Sequence, residues 1–317
     1  MLFFFPVTFL ALLIERFTGY PEILTRSIGH PVQWMGALLS WLDAGLNPEG
    51  KPGGRAAGVV ALLVLLIVTG GLAATAAIFL RHLPYGWIAE AVVATPFLAQ
   101  KSLADHVRAV ADGLDRSLAQ GRSAVSRIVG RDPELLDLSG VARAALESLG
   151  ENASDAIVAP AFWLALLGLP GIVLYKAINT ADSMIGHRSQ RYLNFGWAAA
   201  RLDDFVNLPG ARLTGLLLAI AALFSSPTRA KAAFTAMRRD AHRHVSPNAG
   251  WPESALAGAL DITLGGPRSY GGRHVDLATM GDGRSALDAN DIRDGLSLYG
   301  RALSFLTLLA LLLALVF

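Results

Sequence analysis

The sequence predicts an all-α, polytopic integral membrane bundle with about five or six membrane-embedded helices and cytoplasmic helical loops. Three observations carry that fold class. Apolar residues make up 53% of the 317 and charged residues only 16%, with a mean hydropathy of +0.45, more apolar content than a soluble core consumes. Ala56 to Leu80 runs 25 residues without a charge, which is about 37 Å of helix against a hydrocarbon layer of roughly 30 Å. Where the chain is polar, its apolar residues still recur at helical spacing.

Taken in order, the first candidate span is Leu2 to Ile14; MLFFFP carries no basic stretch and no small-residue cleavage site, so it reads as a retained helix. In the next loop, Val32, Met35, Leu38, Leu39 and Leu42 make Pro31 to Leu46 an amphipathic helix lying against the bundle or the bilayer surface. After Ala56 to Leu80 comes Pro84 to Gln100. Residues 102–149 then read as two cytoplasmic helices, the second starting at Pro133 within Asp132-Pro133-Glu134. Ala153 to Tyr175, Leu213 to Phe224 and Ala302 to Phe317 complete the spans, several of them short or interrupted by Pro and Gly. A basic helix around Lys231 to Arg239 precedes a loop rich in Gly, Pro and Asn, the kind of segment on which sites are built.

If all six segments span, the loops 15–55, 101–152 and 225–301 share one side and hold 21 of the 27 Lys and Arg residues. By the positive-inside rule that side is cytoplasmic and the membrane is the inner one. Residues 1–317 read as a single membrane-embedded domain, without tandem repeat or long linker. Cysteine is absent, which excludes disulfides and thiolate metal sites. A net charge of +2, with bases dispersed among acids, leaves lipid and small molecules as partners and excludes a nucleic-acid footprint.

Five polar clusters carry the chemistry. In ESLGENASDAIVAP, Glu147, Glu151 and Asp155 stand at i, i+4 and i+8, so three carboxylates share one helical face as the chain enters an apolar run. Stacked carboxylates repel unless a cation sits among them; magnesium suits hard oxygen ligands, with a phosphate-bearing substrate completing its shell. The plain alternative is a solvated helix end. In YKAINTADSMIGHRSQRYLNFG, Asn179 faces both Asp182 and Ser183 directly after an apolar segment, where ionisable groups mark a functional cavity or bond to neighbouring helices. His187 reads more simply as a capping residue than as a base.

In ARLDDFVNLPGARLTG, Asp203 and Asp204 precede Asn207 by one turn between Arg201 and Arg212, a set that suits magnesium with phosphate or an ion-pair network. His242 and His244, at i and i+2, do not share a helical face, and no HExxH accompanies them, so zinc is set aside in favour of a shaped loop through Asn248, with Glu253 in the first turn of the next helix. In LGGPRSYGGR, the backbone at Gly265 and Gly266 beside Arg268 offers an anion cradle or simply a turn. No GxxxxGK[ST] motif is present. Trp34, Trp163, Trp197 and Trp251 read as interface or core residues.

The ordered set IGHPVQWMG, SLGENASDAIVAP, INTADSMIGHR, ARLDDFVNLPGARLTG, SPNAGWPESALAGAL and LGGPRSYGG resembles the CobD/CbiB family, adenosylcobinamide-phosphate synthase of cobalamin biosynthesis, from about Glu15 to Tyr299. That resemblance implies a membrane ligase that condenses adenosylcobyric acid with (R)-1-amino-2-propanol, or its O-phosphate, using ATP and magnesium. Two departures stand near the start: Glu15 where the family usually has Asp, and Gly19-Tyr20-Pro21 for the commoner Gly-Asp-Pro. Under the resemblance, Glu147, Glu151, Asp203 and Asp204 are assigned to metal and phosphate positioning. Arg201, Arg212 and Arg268, helped by Asn207, Asn248, Gly265 and Gly266, take anionic groups. Asp182 or Asp155, with Asn179 and Ser183, handles the amine.

The residues alone leave two other classes open, a transporter or carrier, for which broken helices and intramembrane polar groups also serve, and a membrane sensor. A topological constraint bears on all three. Full spans at Ala153 to Tyr175 and Leu213 to Phe224 would place residues 177–212 opposite the other motifs, so these two segments are expected to form a buried or re-entrant pair.

Overall fold

The computed structural model describes residues 4–316 apart from 52, 131, 132, 267, 271, 272 and 276; the side chains of 22, 24, 268–270 and 273–275 are likewise outside the description. In chain order the helices are α1 (Phe5–Thr18), α2 (Glu22–Ile28), α3 (Pro31–Leu46), α4 (Arg55–Arg81), α5 (Gly86–Ala94), α6 (Gln100–Arg116), α7 (Leu118–Val125) and α8 (Leu138–Ala153). A π turn at Ser154–Val158 leads into α9 (Ala159–Ile185), followed by α10 (Trp197–Val206), α11 (Leu208–Ala222), α12 (Pro227–Asp240) and α13 (Gly250–Leu260). Two short antiparallel pairs come next. β1 (Leu264–Gly265) pairs with β4 (Thr279–Met280), and β2 (Arg268–Tyr270) with β3 (Arg273–Val275). The last helix is α14 (Ala289–Val316).

The chain is thus an all-helical membrane protein. Among the described residues, three helical stretches are long and apolar enough to cross a bilayer: Arg55–Arg81, Leu138–Ile185 and Ala289–Val316. The pair α10 and α11, bent by 41°, makes a fourth if counted as one broken span. Hydropathy predicts up to six. Two of those candidates contain only α1, of 14 residues, and α5, of 9, too short to span alone. Pro84 precedes α5, and Pro96 ends it in a single 3₁₀ turn at Thr95–Phe97.

Where the sequence suggests one domain, the contacts divide the chain into two compact units. One comprises residues 1–99, 159–207 and 308–317, the other residues 100–158 and 208–307. In the first, α3 has the bounds its periodicity predicts and buries Met35, Leu39 and Leu42. Pro31 opens it, and His30 caps it: His30 Nδ1 accepts the Val32 amide at 3.2 Å while Gln33 Oε1 accepts the His30 amide at 2.9 Å. Gly168 breaks α9, with φ of 68° and ψ of −155°, two residues before Pro170. That break explains the single acid in the apolar stretch after Pro84. Glu90 is 1% exposed, accepts the Leu169 amide at 3.1 Å where the helix restarts, and pairs with Arg81 at 3.1 Å.

In the second unit, three helices replace the two expected between residues 102 and 149. Ser117 has extended backbone, φ −170°, and its hydroxyl accepts the Gln120 amide, so α6 ends and α7 begins there. The start of α8 also moves, from Pro133 to Leu138. Asp137 accepts the Gly140 amide at 2.7 Å and is the stronger cap, while Pro133 is spent on a turn in which its carbonyl accepts the Leu136 amide. Helices α12 and α13 cross so closely at Gly258 that a Cβ there would lie 2.6 Å from the Ala232 carbonyl oxygen.

Candidate functional site

The second unit contains a cavity of 540 Å³. One wall is the face of α8 that carries Ala144, Glu147, Ser148 and Glu151, the i, i+3, i+4, i+7 stripe of a single helical side. The opposite wall is the loop into α13, with His244, Val245 and Ser246, and the first turn of α13, with Glu253, and Gly265, Leu277 and Ala278 complete the lining. Glu147 is 5% exposed and accepts the Gly265 amide at 2.8 Å. The backbone expected to cradle an anion therefore already holds one, a carboxylate of the chain itself. Glu253 is 3% exposed, and its Oε1 lies 3.7 Å from His244 Nε2. Glu151, by contrast, is exposed at the cavity.

The loop opposite α8 is held from both ends. Ser246 Oγ accepts the amides of Asn248 and Ala249, each at 3.2 Å, an ST turn that starts α13. Arg212 donates to Asn248 Oδ1 at 2.8 Å and lies 4.8 Å above the Trp251 ring. Behind the rim, buried Asp240 accepts two bonds from Arg239, at 2.8 and 2.7 Å, one from Arg243 at 3.3 Å and one from the Gly281 amide at 2.9 Å. Burial pushes the Asp240 carboxyl up, but those bonds outweigh it and leave it below the usual carboxylate range.

The first unit gathers a different polar cluster. Tyr175 Oη donates to Asn207 Oδ1 at 2.7 Å, Asn207 Nδ2 donates to Asp203 Oδ2 at 2.9 Å, and Asn179 Nδ2 donates to Asp203 Oδ1 at 3.4 Å. Lys176 donates in turn to Asn179 Oδ1 at 3.4 Å. Asp182 and Asp204 lie within electrostatic reach of one another and of Asp203, with His187 beside Asp182, and Arg201 and Arg188 beside Asp204. Ser183 bonds back to its own helix, donating to the Asn179 carbonyl at 2.9 Å. His30 belongs to the same neighbourhood: burial and the nearby Lys176 lower its pKa against an opposing bond with the Pro96 backbone, so the ring is neutral at pH 7.

This arrangement joins motifs scattered along the chain, and a model of the CobD/Cbib protein family matches residues 8–299. The chain belongs to the CobD/CbiB family. Relatives named cobalamin biosynthesis protein CobD include one from Sinorhizobium fredii, 50% identical over 99% of this chain and 98% of its own length. Another, from Rhodobacter capsulatus, is 52% identical over 93% and 92%. A third, from Brucella suis, is 48% identical over 94% and 93%. No solved structure matches. Membership of the CobD/CbiB family gives the chain a role in cobalamin biosynthesis.

The family motifs sort by unit. Glu147 and Glu151 meet at the cavity with Gly265, but Asp155 falls in the π turn and is not among the described residues that line it. Asn248 and Arg212 brace the cavity loop from behind, and Gly266 donates its amide to the Ala278 carbonyl at 3.2 Å. Arg268 has its backbone in β2, while its side chain lies outside the described residues. Asn179, Asp203 and Asn207 come together in the first unit, with Asp182 and Asp204 beside them. No group of three or more His, Asp or Glu side chains among the described residues is arranged to hold a metal ion by itself. Sequence reasoning passes over His244 and Ser246 as site residues and gives Glu253 no role; the Pro252-Glu253 helix start inside a Gly- and Asn-rich loop is the signal for the last.

Proposed function

We propose that this protein catalyses the ATP-dependent condensation of adenosylcobyric acid with (R)-1-amino-2-propanol or its O-phosphate. The reaction would take place at the cytoplasmic face of the inner membrane. One observation carries the reading: three carboxylates and an imidazole from two distant stretches of the chain, residues 147–151 and 244–253, face one cavity of 540 Å³, within the range of about 300–1,000 Å³ typical of small-molecule sites. An amide does not form from a carboxylate and an ammonium at neutral pH. The acid needs an activated oxygen to expel, the amine must shed a proton, and water must be kept away.

The donor set fits magnesium with phosphate. Glu147 and Glu151 are one turn apart on α8 and meet at the cavity, and this cation commonly takes one or two protein carboxylates with the rest of its shell from phosphate and water. Bound magnesium would neutralise phosphate charge in the activation of the propionate. The protein's own part is orientation. Glu147 is fixed by the Gly265 amide, Ser246 shapes the loop opposite, and the apolar rim of Ile128, Val129 and Leu277 limits water. Asp203, Asp204 and Asp182 enter the proposal as a second group, for metal, phosphate and amine, with Arg201 for an anionic group.

Detergent-purified protein given adenosylcobyric acid, ATP, magnesium and each amine in turn should yield the amide by mass. Loss of product in Glu151→Gln supports the cavity as the site, and loss in Asp182→Asn supports the second group. Absence of product with both amines in the presence of bound corrinoid would overturn the synthase reading in favour of a carrier. Sidedness can be read separately. With no cysteine in the chain, Val245→Cys at the cavity rim should be labelled by an impermeant maleimide in inverted vesicles and spared in right-side-out ones.

A further inference from the structure

From Leu208 to Arg239 the chain has no Asp or Glu, and this acid-free stretch folds as α11 and α12 of the second unit. The two helices pack closely: a Cβ on Gly215 of α11 would lie 2.5 Å from Met237 Sδ of α12. What α11 and the turn after it leave exposed is mostly apolar, Leu216, Ile220, Leu223 and Phe224, a stripe at helical spacing. That turn is anchored to α14. The Phe224 ring lies 5.4 Å from the Phe305 ring, and Arg301 donates to Ser225 Oγ at 2.9 Å. Arg301 is the last charged residue of the chain, and α14 is long and apolar enough to cross a bilayer. Arg301 therefore marks the level at which α14 leaves water, and the end of α11 is held at that level.

The basic residues of α12 fall into two sets. Arg229 donates to the Ala259 carbonyl at 3.0 Å, and Arg239 is held by Asp240 and Asp282. Lys231 and Arg238 are exposed and have no side-chain hydrogen bond or ion pair among the described residues. They stand at i and i+7 with exposed Phe234 at i+3 between them, on the side of α12 away from buried Ala233, Ala236, Met237 and Asp240. An aromatic ring between two cations on long apolar stems suits a helix lying on a lipid surface, the ring entering the boundary and the stems reaching back to the phosphates. Two features select that occupant. The surface continues from the level at which α14 enters the bilayer, and an acid-free stretch complements a negative charge.

We propose that α11 and α12 form a docking surface for anionic phospholipid at the membrane boundary. Both helices lie along that boundary. Leu216, Ile220, Leu223, Phe224 and Phe234 enter the region between headgroups and acyl chains, and Lys231 and Arg238 bind lipid phosphates. With 15 residues α11 is about 22 Å long, short of the roughly 30 Å hydrocarbon layer, so a place along the boundary suits it better than a crossing. From Pro227 to Arg238 the axis of α12 advances about 16 Å. Arg238 therefore reaches the same headgroup layer as Lys231 only if the helix lies flat, which makes it the deciding residue. The surface belongs to the same unit as the cavity, for α13, whose first turn carries Glu253, packs on both helices.

The test uses the full chain in lipid nanodiscs. Because the chain has no cysteine, Ile220→Cys and Phe234→Cys each give one site for a fluorophore, and Ala119→Cys on α7, also exposed, gives a reference. Leu223→Cys repeats the α11 reading, so that no single variant's folding decides the outcome. A nitroxide near the top of the lipid acyl chain should quench the α11 and α12 labels strongly and the reference weakly. In discs of mixed phosphatidylcholine and phosphatidylglycerol, the nitroxide should quench the Phe234→Cys label more when phosphatidylglycerol carries it. The enrichment should be up to about fivefold per cation at low salt and should shrink at high salt. Lys231→Gln and Arg238→Gln should each reduce that preference, and the double variant should abolish it. Labels on both helices as free of quenching as the reference would overturn the docking surface and leave this face to a protein partner. Equal quenching from the two lipids would overturn the recognition of anionic headgroups. A preference lost in Lys231→Gln and unchanged in Arg238→Gln would overturn the flat seating of α12.

Discussion

The two polar clusters of this protein differ in where their polar atoms point. In the first unit, Tyr175, Asn207, Asp203, Asn179 and Lys176 bond in series, and Asn207 is 1% exposed with both ends of its amide engaged. In the second, Glu147, Glu151, His244 and Glu253 converge on a cavity. A chain of side chains that satisfy one another inside apolar helices holds a shape, because leaving any member unpaired costs more than the bond itself gains. A cavity lined by like charges is poorly placed to stabilise anything and gains most when a cation or a cation-carrying ligand enters. Both clusters look alike in sequence, as acids and amides next to apolar runs.

The sharpest way to break this comparison is to separate activity from stability. Glu151→Gln, at an exposed position, should lower turnover by about 10²- to 10³-fold, as loss of an electrostatic contact to the reacting groups does, and leave thermal unfolding unchanged. If it lowered the unfolding temperature and kept its activity, the cavity would be structural and the contrast between the units would collapse.

Next in size is Asn207→Ala in the network. It removes the acceptor of the Tyr175 hydroxyl's bond and both donors that Asn207 gives to Asp203 in a buried site, so a loss of about 3 kcal/mol is expected. Differential scanning fluorimetry in detergent should show it, and a variant of wild-type stability would mean that the network carries no structural load.

The second unit also holds a fully satisfied carboxylate, Asp240, and it tests whether support and function are separable there. Asp240 ties the end of α12 to Gly281, directly after β4, and β4 pairs with β1, whose Gly265 holds Glu147. Asp240→Asn should cost about 2 kcal/mol, the scale of a charge-assisted bond. The sign of its pH dependence comes from its lowered pKa. The stabilisation is complete above the unfolded carboxylate pKa of about 3.9 and is lost as pH falls through the folded value. Wild type should therefore lose more stability than Asp240→Asn between about pH 5 and pH 3, measured as the difference in unfolding temperature across that window.

How much of this is legible in the sequence depends on whether the signal is local. The bounds of α3 can be read from apolar spacing and from Pro31 at its first position, and the core of α4 from an uncharged run. The shared face of Glu147 and Glu151 is given by their spacing of four. Asp155, at the next i+4 position, lies in the π turn at Ser154–Val158, where the spacing of an α-helix no longer applies, and is not among the described residues that line the cavity. The start of α8 is ambiguous because Asp132-Pro133-Glu134 and Asp137 both resemble helix starts, and only the cap geometry decides between them. Glu90 can be seen as an oddity, but its partners, Arg81 and the Leu169 amide, come from the end of α4 and from a break far along the chain. His244 and Glu253 meet because a loop folds back over an ST turn, and no fixed spacing announces such a contact.

The smallest test asks whether the network of the first unit is a scaffold throughout or hides a functional group at its buried end. Tyr175 is 2% exposed, and its hydroxyl donates to Asn207 at 2.7 Å. In Tyr175→Phe the ring stays packed, and Asn207 Oδ1 loses one donor while its amide nitrogen keeps Asp203. Because only a neutral acceptor is stranded, the cost should be about 1 kcal/mol, within the range for one neutral hydrogen bond, and turnover should stay within about twofold of wild type, a change of roughly 0.4 kcal/mol in the barrier. A much larger fall in kcat at nearly unchanged stability would move Tyr175 and its neighbours from scaffold to active site. It would favour the second carboxylate group over the cavity, since a hydroxyl that only shapes a helix pair has no means of altering the rate without altering the fold.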